Sequence, residues 1–212
     1  MVDFVERLNW RYAVKKFDAG SKLTEQQLEH ILESVRLSAS GFGLQPYRLI
    51  LVEDPALRRA LAGHSFTNKD KVIDASELLV FAIETKMDAA TVERTVGLIA
   101  EIRGIPRAEL TPLEERLQGL IGRFADSREF QSWARCQAYL ALGNLLTVCA
   151  GLGVDVCPME GIAPDKYDAL LKLEEQGLTT AVAAVLGQRA ADDAFGKLKK
   201  VRWPMEEFLI RI

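Results

Sequence analysis

The 212-residue chain has little with which to hold a metal or build a disulfide framework: two separated histidines, His30 and His64, and three cysteines, Cys136, Cys149 and Cys157, without CxxC spacing. A metal centre needs several Cys, His or carboxylate ligands together, so none is expected. Odd, scattered cysteines point to free thiols in a reducing compartment. Cation excess is missing too. The 27 Lys and Arg against 30 Asp and Glu leave a formal charge of -3, which excludes a general nucleic-acid binder, because neutralising phosphates takes surplus cations. The N-terminus carries acids where a secretory leader carries bases. The run from Ala138 to Gly153 is shorter than the roughly 20 residues of a membrane span. It reads instead as a helix buried on most sides, closed by Gly151 and Gly153. No membrane partner and a cytoplasmic location are the expectations. Neither a GxGxxG turn nor a GxxxxGKS/T loop is present, which removes the usual signatures of dinucleotide and nucleoside-triphosphate sites.

What the chain does have is ordinary globular composition, 49% hydrophobic and 27% charged, enough for a substantial core. It reads as a single domain over residues 1–212 in which helices and strands alternate. The first helix is expected over about Asp3 to Tyr12. Thr24-Glu25-Gln26-Gln27 fits a capping box ahead of Leu28, Ile31, Leu32 and Val35 at helical spacing. Asp54-Pro55 fits an N-cap with proline at the first helical position. Tyr47 to Val52, Leu78 to Ile83 and Thr179 to Leu186 read as interior strands. A helical insertion at about 86–132 separates the second strand from the long apolar helix, and a capping box is expected at Thr111-Pro112-Leu113-Glu114. Charged and helical, the insertion fits either a lid or partner-facing arm, or a solvated flank. The apolar tail, with Phe208, Leu209 and Ile212, should pack on something, a second subunit being the natural partner.

Four basic residues at opposite ends of the chain come in pairs: Arg11 with Lys15, four apart, and Lys200 with Arg202, two apart. On a helix and on an extended segment respectively, each pair shares one side. Were the pairs to converge, they would make a site for a doubly charged phosphate, which guanidinium forks bind bidentately. Spacing alone favours ordinary surface charges, since exposed Lys and Arg are the commonest surface residues.

Five motifs in order bear on this. Arg11-Tyr12-Ala13-Val14-Lys15-Lys16-Phe17-Asp18 resembles the opening segment of the FMN-dependent nitroreductase family. Gln45-Pro46-Tyr47 is similar to that family's Gln-Pro-Trp step. Asn68-Lys69-Asp70-Lys71, leading to Asp74-Ala75-Ser76, resembles its Asn-x-x-Lys segment; Pro158-Met159-Glu160-Gly161 its Pro-x-Glu-Gly; and Lys200-Val201-Arg202 its Lys-x-Arg.

The resemblance implies an α+β fold, a mixed sheet flanked by helices, in an intertwined homodimer with FMN at each subunit interface. It implies that Arg11, Tyr12, Ala13 and Lys15, with Lys200 and Arg202, surround the FMN phosphate. Asn68 and Lys71 would face the flavin's pyrimidine edge, where a lysine stabilises the charge that reduction creates. Pro158, Met159, Glu160 and Gly161 would line a ring face, with backbone N–H groups near Glu160 and Gly161 directed at N5. Ser40, Gly41 and Gly43 would reach the other subunit's flavin. Phe42 and Phe124 are the implied substrate-pocket aromatics, although a core role suits Phe124 as well. Ala13 stands where the family often has Ser, and Phe42 and Gly43 where it often has Thr or Asn.

The implied activity is electron transfer from NADH or NADPH to nitroaromatic or quinone-type small molecules by a ping-pong mechanism. Two other readings share the scaffold: a flavin storage or regulatory protein without turnover, and a reductive dehalogenase or enone reductase. No Ser-His-Asp set or catalytic carboxylate pair is assigned, and with the chemistry on flavin N5 none is required.

Overall fold

Residues 78–83 carry no polar side chain, and a strand apolar on both faces must be covered on both sides. In the computed structural model, which describes residues 3–124 and 126–212, this run is the buried middle of β2 (Glu77–Glu84). Met1, Val2 and Ala125 lie outside the described residues. β2 pairs with β1 (Tyr47–Leu51) on one side and β4 (Leu178–Gly187) on the other, and β3 (Asp155–Met159) pairs with β4. The order is β1-β2-β4-β3.

All three expected strands form, and the α+β class holds. The mixed pairing expected of the sheet reduces to very little among the described residues: every named strand pair is antiparallel, and parallel pairing is confined to an isolated bridge between Ala13 and Val156. The fourth strand, β3, is one that the sequence patterning does not announce. Proline disguises it in the sequence, and its place at the sheet edge is what tolerates proline.

Successive side chains of β2 alternate between two cores. Leu79, Phe81 and Ile83 meet α2 (Glu25–Arg36) and α7 (Ser127–Leu152), together with the inserted α5 (Ala89–Arg103) and α6 (Thr111–Ile121). Leu78 and Val80 meet α3 (Pro55–Ala62), α4 (Lys69–Asp74) and α8 (Pro164–Leu171), along with Val14 and Phe17. The result is a helix–sheet–helix sandwich.

Local signals set the helix starts. Thr24 and Gln27 form both bonds of the capping box, and Asp54 accepts from the N–H groups of Ala56 and Leu57. The capping box expected at Thr111 does not form. A 3-10 turn over Arg107–Leu110 runs straight into α6, leaving no extended cap residue. Thr111 Oγ1 donates to the Ala108 carbonyl instead, and Glu114 pairs with Arg107 at 2.6 Å.

The long helix α7 ends as its glycines suggest. Gly153 takes φ +70°, and the N–H groups of Gly153 and Val154 return to the carbonyls of Ala150 and Cys149. Its buried row is Phe130, Ala134, Ala138, Ala141, Leu145 and Cys149. The opposite side is open within this chain, Leu140 being 53% exposed, so burial covers one face of α7 and not most of it. α1 (Phe4–Trp10) stops short of Tyr12, and its Phe4, Val5 and Leu8 are exposed. The tail from Trp203, including the short α9 (Met205–Phe208), is exposed throughout. No helix among the described residues is long and apolar enough to cross a membrane, and none of their His, Cys, Asp and Glu side chains cluster as a metal site would require.

Candidate functional site

The free edge of β3 organises the site. Ala13 bridges Val156 on it, and the segment continues to the residues just after β4, where Phe17 bridges Arg189 and the Asp18 N–H donates to the Gln188 carbonyl. After β4 the chain returns past the same edge, so residues from the two extremities line one cavity of about 500 Å³, among them Arg11, Tyr12, Lys15, Phe195, Lys200 and Arg202. The convergence that spacing left open is present.

These cations have no carboxylate counter-ion. None of the ion pairs among the described residues involves Arg11, Lys15, Lys200 or Arg202. Burial lowers the Arg11 pKa, and the neighbouring Arg202 charge lowers it further. Lys200 is likewise lowered, by burial first and then by Arg11 and Arg202. Like charges held together without compensation favour an anion between them. Lys15 Nζ lies 5.4 Å from the Phe195 ring centroid, within cation–π range. Lys200 also works as a brace. Its ammonium donates to the carbonyls of Leu8 and Arg11 at the C-terminal end of α1, where a positive charge is favoured. With two of its three N–H groups so placed, one remains for a ligand.

A second cluster faces the same strand. Asn68 Nδ2 donates to the Gly161 carbonyl at 2.9 Å, and Lys71 Nζ donates to Asn68 Oδ1 at 2.8 Å and to the Thr67 carbonyl at 3.3 Å. A Cβ on Gly161 would lie 3.0 Å from Asn68 Nδ2, so the glycine permits this close approach. Cys157, on β3, reports how near the clusters are. Burial pushes its thiol up, while the charges of Lys71, Lys15 and Arg11 all pull against that rise. The four cations and an amide–ammonium pair thus both lie beside β3.

The remaining predicted residues divide. Pro158 is half-buried beside the cluster, whereas the Met159 side chain is 1% exposed, in the core, and can offer only backbone to a ligand. Glu160 accepts from the Tyr139 hydroxyl at 2.6 Å; burial and this bond push the phenol up to about 12. Phe124 packs in an aromatic group with Phe130 and Trp133, at centroid separations of 5.4 and 5.5 Å.

The Ser40–Gly43 loop forms a separate structure against α7. Ser40 Oγ accepts from the Gln45 N–H, and the Gly41 N–H donates to Gln137 Oε1 at 2.8 Å. Phe42 is held at φ +55° yet remains exposed, a conformation unfavourable for a side-chain-bearing residue. A Cβ on Gly41 would lie 2.9 Å from Trp133 Cζ2. Gly41→Ala is therefore expected to displace the Trp133 ring and lower stability by about 1–3 kcal/mol, read as a reduced urea midpoint. An unchanged midpoint would mean that the loop yields freely.

Sequence reasoning missed Asp155, Arg189, Trp10 and Asp193. Arg189 grips the buried Asp155 through its guanidinium at 2.6–3.0 Å and through its backbone N–H at 2.8 Å. Its guanidinium carbon lies 4.2 and 4.5 Å from the ring centroids of Trp10 and Tyr12. Nothing in the spacing of these residues signals a contact, although an acid opening a buried strand was a usable clue.

With this geometry in view, relatives give the class. The nitroreductase family profile matches residues 8–187, and the chain belongs to that family of oxidoreductases. It is 30% identical over 205 residues to a Staphylococcus aureus (strain MW2) protein, covering 92% of this chain and 91% of the relative. It is also 30% identical over 197 residues to YfkO of Bacillus subtilis, covering 89% of each. Both are provisionally named NAD(P)H nitroreductases. Among solved structures, a nitroreductase-type protein from Exiguobacterium sibiricum in complex with FMN superposes with TM-score 0.83 at 18% identity, over 100% of this chain and 98% of that one. An enone reductase of gut-bacterial fatty acid saturation superposes at 0.82 and 17%, over 100% and 99%. These two show a shared fold.

Proposed function

We propose that this chain is an FMN-dependent oxidoreductase that takes electrons from NADH or NADPH and delivers them to nitroaromatic or quinone-type small molecules. The observation that carries the reading is the uncompensated set of Arg11, Lys15, Lys200 and Arg202, sited on the same strand edge as Asn68, Lys71 and Gly161. This donor set suits FMN: a dianionic phosphate for the cations and a polar ring edge for the amide and ammonium. When bound, FMN supplies the redox chemistry, hydride uptake and delivery to a second substrate in alternating half-reactions.

The protein's own part is to hold and tune. Arg11, Lys15, Lys200 and Arg202 bind the phosphate, with Tyr12 and Ala13 forming the adjoining wall. Lys71, oriented by Asn68, places positive charge where the reduced ring gathers negative charge. The backbone of Pro158, Met159, Glu160 and Gly161 would line a face of the bound ring, and Gly161 leaves that approach clear of a side chain. The exposed Phe42 and the half-buried Phe124 would border the substrate. We further propose an intertwined homodimer, in which Ser40, Gly41 and Gly43 approach the other subunit's flavin. The exposed apolar residues of the tail and of α1, and Leu140 on α7, support it, since exposed apolar groups in this number favour an interface.

The purified protein is expected to be yellow, to run as a dimer, and to bleach anaerobically with NADH or NADPH. Colour without bleaching by either nucleotide would favour a flavin-binding protein without turnover. A colourless protein that fails to take up added FMN would remove the flavin reading.

A further inference from the structure

The four cations of the cavity come from opposite ends of the chain, so their effectiveness depends on what holds those ends together. Lys200 bonds α1, but it is itself one of the cations. Among the further ties, the one nearest the cations is Asp193, which is 6% exposed. Its Oδ2 accepts from the Tyr12 hydroxyl at 3.0 Å, the Lys15 N–H at 2.9 Å and the Lys16 N–H at 3.1 Å. Its Oδ1 accepts from the Phe195 N–H at 3.0 Å. One carboxylate thus fastens residues 12–16 to the turn at 193–196.

We infer that Asp193 assembles the anion pocket, acting as a positioning residue that sets Lys15 and Arg11 against Lys200 and Arg202. This rests on the reading of the cavity as the FMN phosphate site.

Three features support the inference. Every donor to Asp193 is neutral, three backbone amides and a phenol. Its charge is therefore engaged without forming an ion pair with any of the four cations, which stay available to a ligand. Phe195, fixed through its N–H, carries the ring over which Lys15 Nζ sits, so the same carboxylate places both the main chain of Lys15 and the partner of its ammonium. The fit is close: a Cβ on Gly196 would lie 3.0 Å from the Tyr12 hydroxyl oxygen. Burial raises the Asp193 pKa, but the N–H groups of Lys15, Phe195 and Lys16 and the Tyr12 hydroxyl together leave it below the ordinary value. Three donors on one oxygen suit a carboxylate better than a neutral amide, whose nitrogen would turn a donor toward other donors.

The test compares FMN with riboflavin, which lacks the phosphate, by flavin fluorescence titration of the full-length apoprotein. Asp193→Ala is expected to weaken FMN about tenfold or more and to leave riboflavin unchanged. Asp193→Asn, which is isosteric and should fold if Asp193→Ala does not, is expected to fall between it and wild type. Equal losses for both flavins, or an FMN preference unchanged in both variants, would overturn the positioning role and leave the phosphate site standing. A wild-type protein that binds the two flavins alike would overturn the site and this inference together.

Discussion

Replacing Arg11 and Arg202 together by alanine is expected to strip the protein of FMN. A hydrogen bond to a charged group contributes about 1.5–3 kcal/mol, so losing one such bond from each guanidinium removes about 3–6 kcal/mol of binding. That corresponds to an affinity roughly 150- to 20,000-fold weaker. The fold should not suffer in parallel. Each of the two charges disfavours the ionised form of Arg11 or Lys200, so in the flavin-free protein their removal relieves repulsion, and the thermal midpoint should hold or rise. Flavin content after gel filtration and the apoprotein Tm together make the check. Undiminished flavin retention in the double variant would refute the phosphate assignment, and a collapsed apoprotein would show that the arginines serve the fold.

Asp155→Ala should produce the largest loss of stability among the site variants. The carboxylate is 1% exposed and meets Arg189 through a double fork and a backbone N–H. Its removal leaves a guanidinium set between Trp10 and Tyr12 without a counter-ion. Breaking one side of a buried pair costs about 3–5 kcal/mol. The low end applies here, because the Arg189 side chain keeps 22% of its surface in water. Urea unfolding should show a lowered midpoint at unchanged slope, with Asp155→Asn intermediate. A loss under about 1 kcal/mol would mean that the aromatic rings and water satisfy Arg189 unaided.

The two variants separate tasks that lie side by side. Arg189 and the four cations line one cavity, yet only Arg189 has a carboxylate partner. Paired, it joins the start of β3 to the chain leaving β4 and stacks on the N-terminal segment, which stiffens the wall. The unpaired cations are left for the ligand.

Much of this was legible in the chain itself. Caps at Thr24 and Asp54 mark helix starts because their bonds lie within three residues. The apolar runs of β1, β2 and β4 declare interior strands because both faces must leave water. Resemblance supplied the order of the site motifs. Local reading failed where a neighbour in space decided the matter: Pro158 hid a strand that the sheet edge accommodates, and the turn at 107–110 displaced the Thr111 cap.

The sequence alone determined most element types, the two-sided burial of the sheet and the presence of two basic pairs, since those follow from side-chain chemistry and short periodicities. Tertiary structure alone decided that the pairs meet, that Lys200 braces α1, and that Asp193 and Asp155 accept from groups up to 181 residues away. The physical reason is that a hydrogen bond depends on separation in space, and the edge of β3 brings both extremities of the chain within reach of one another.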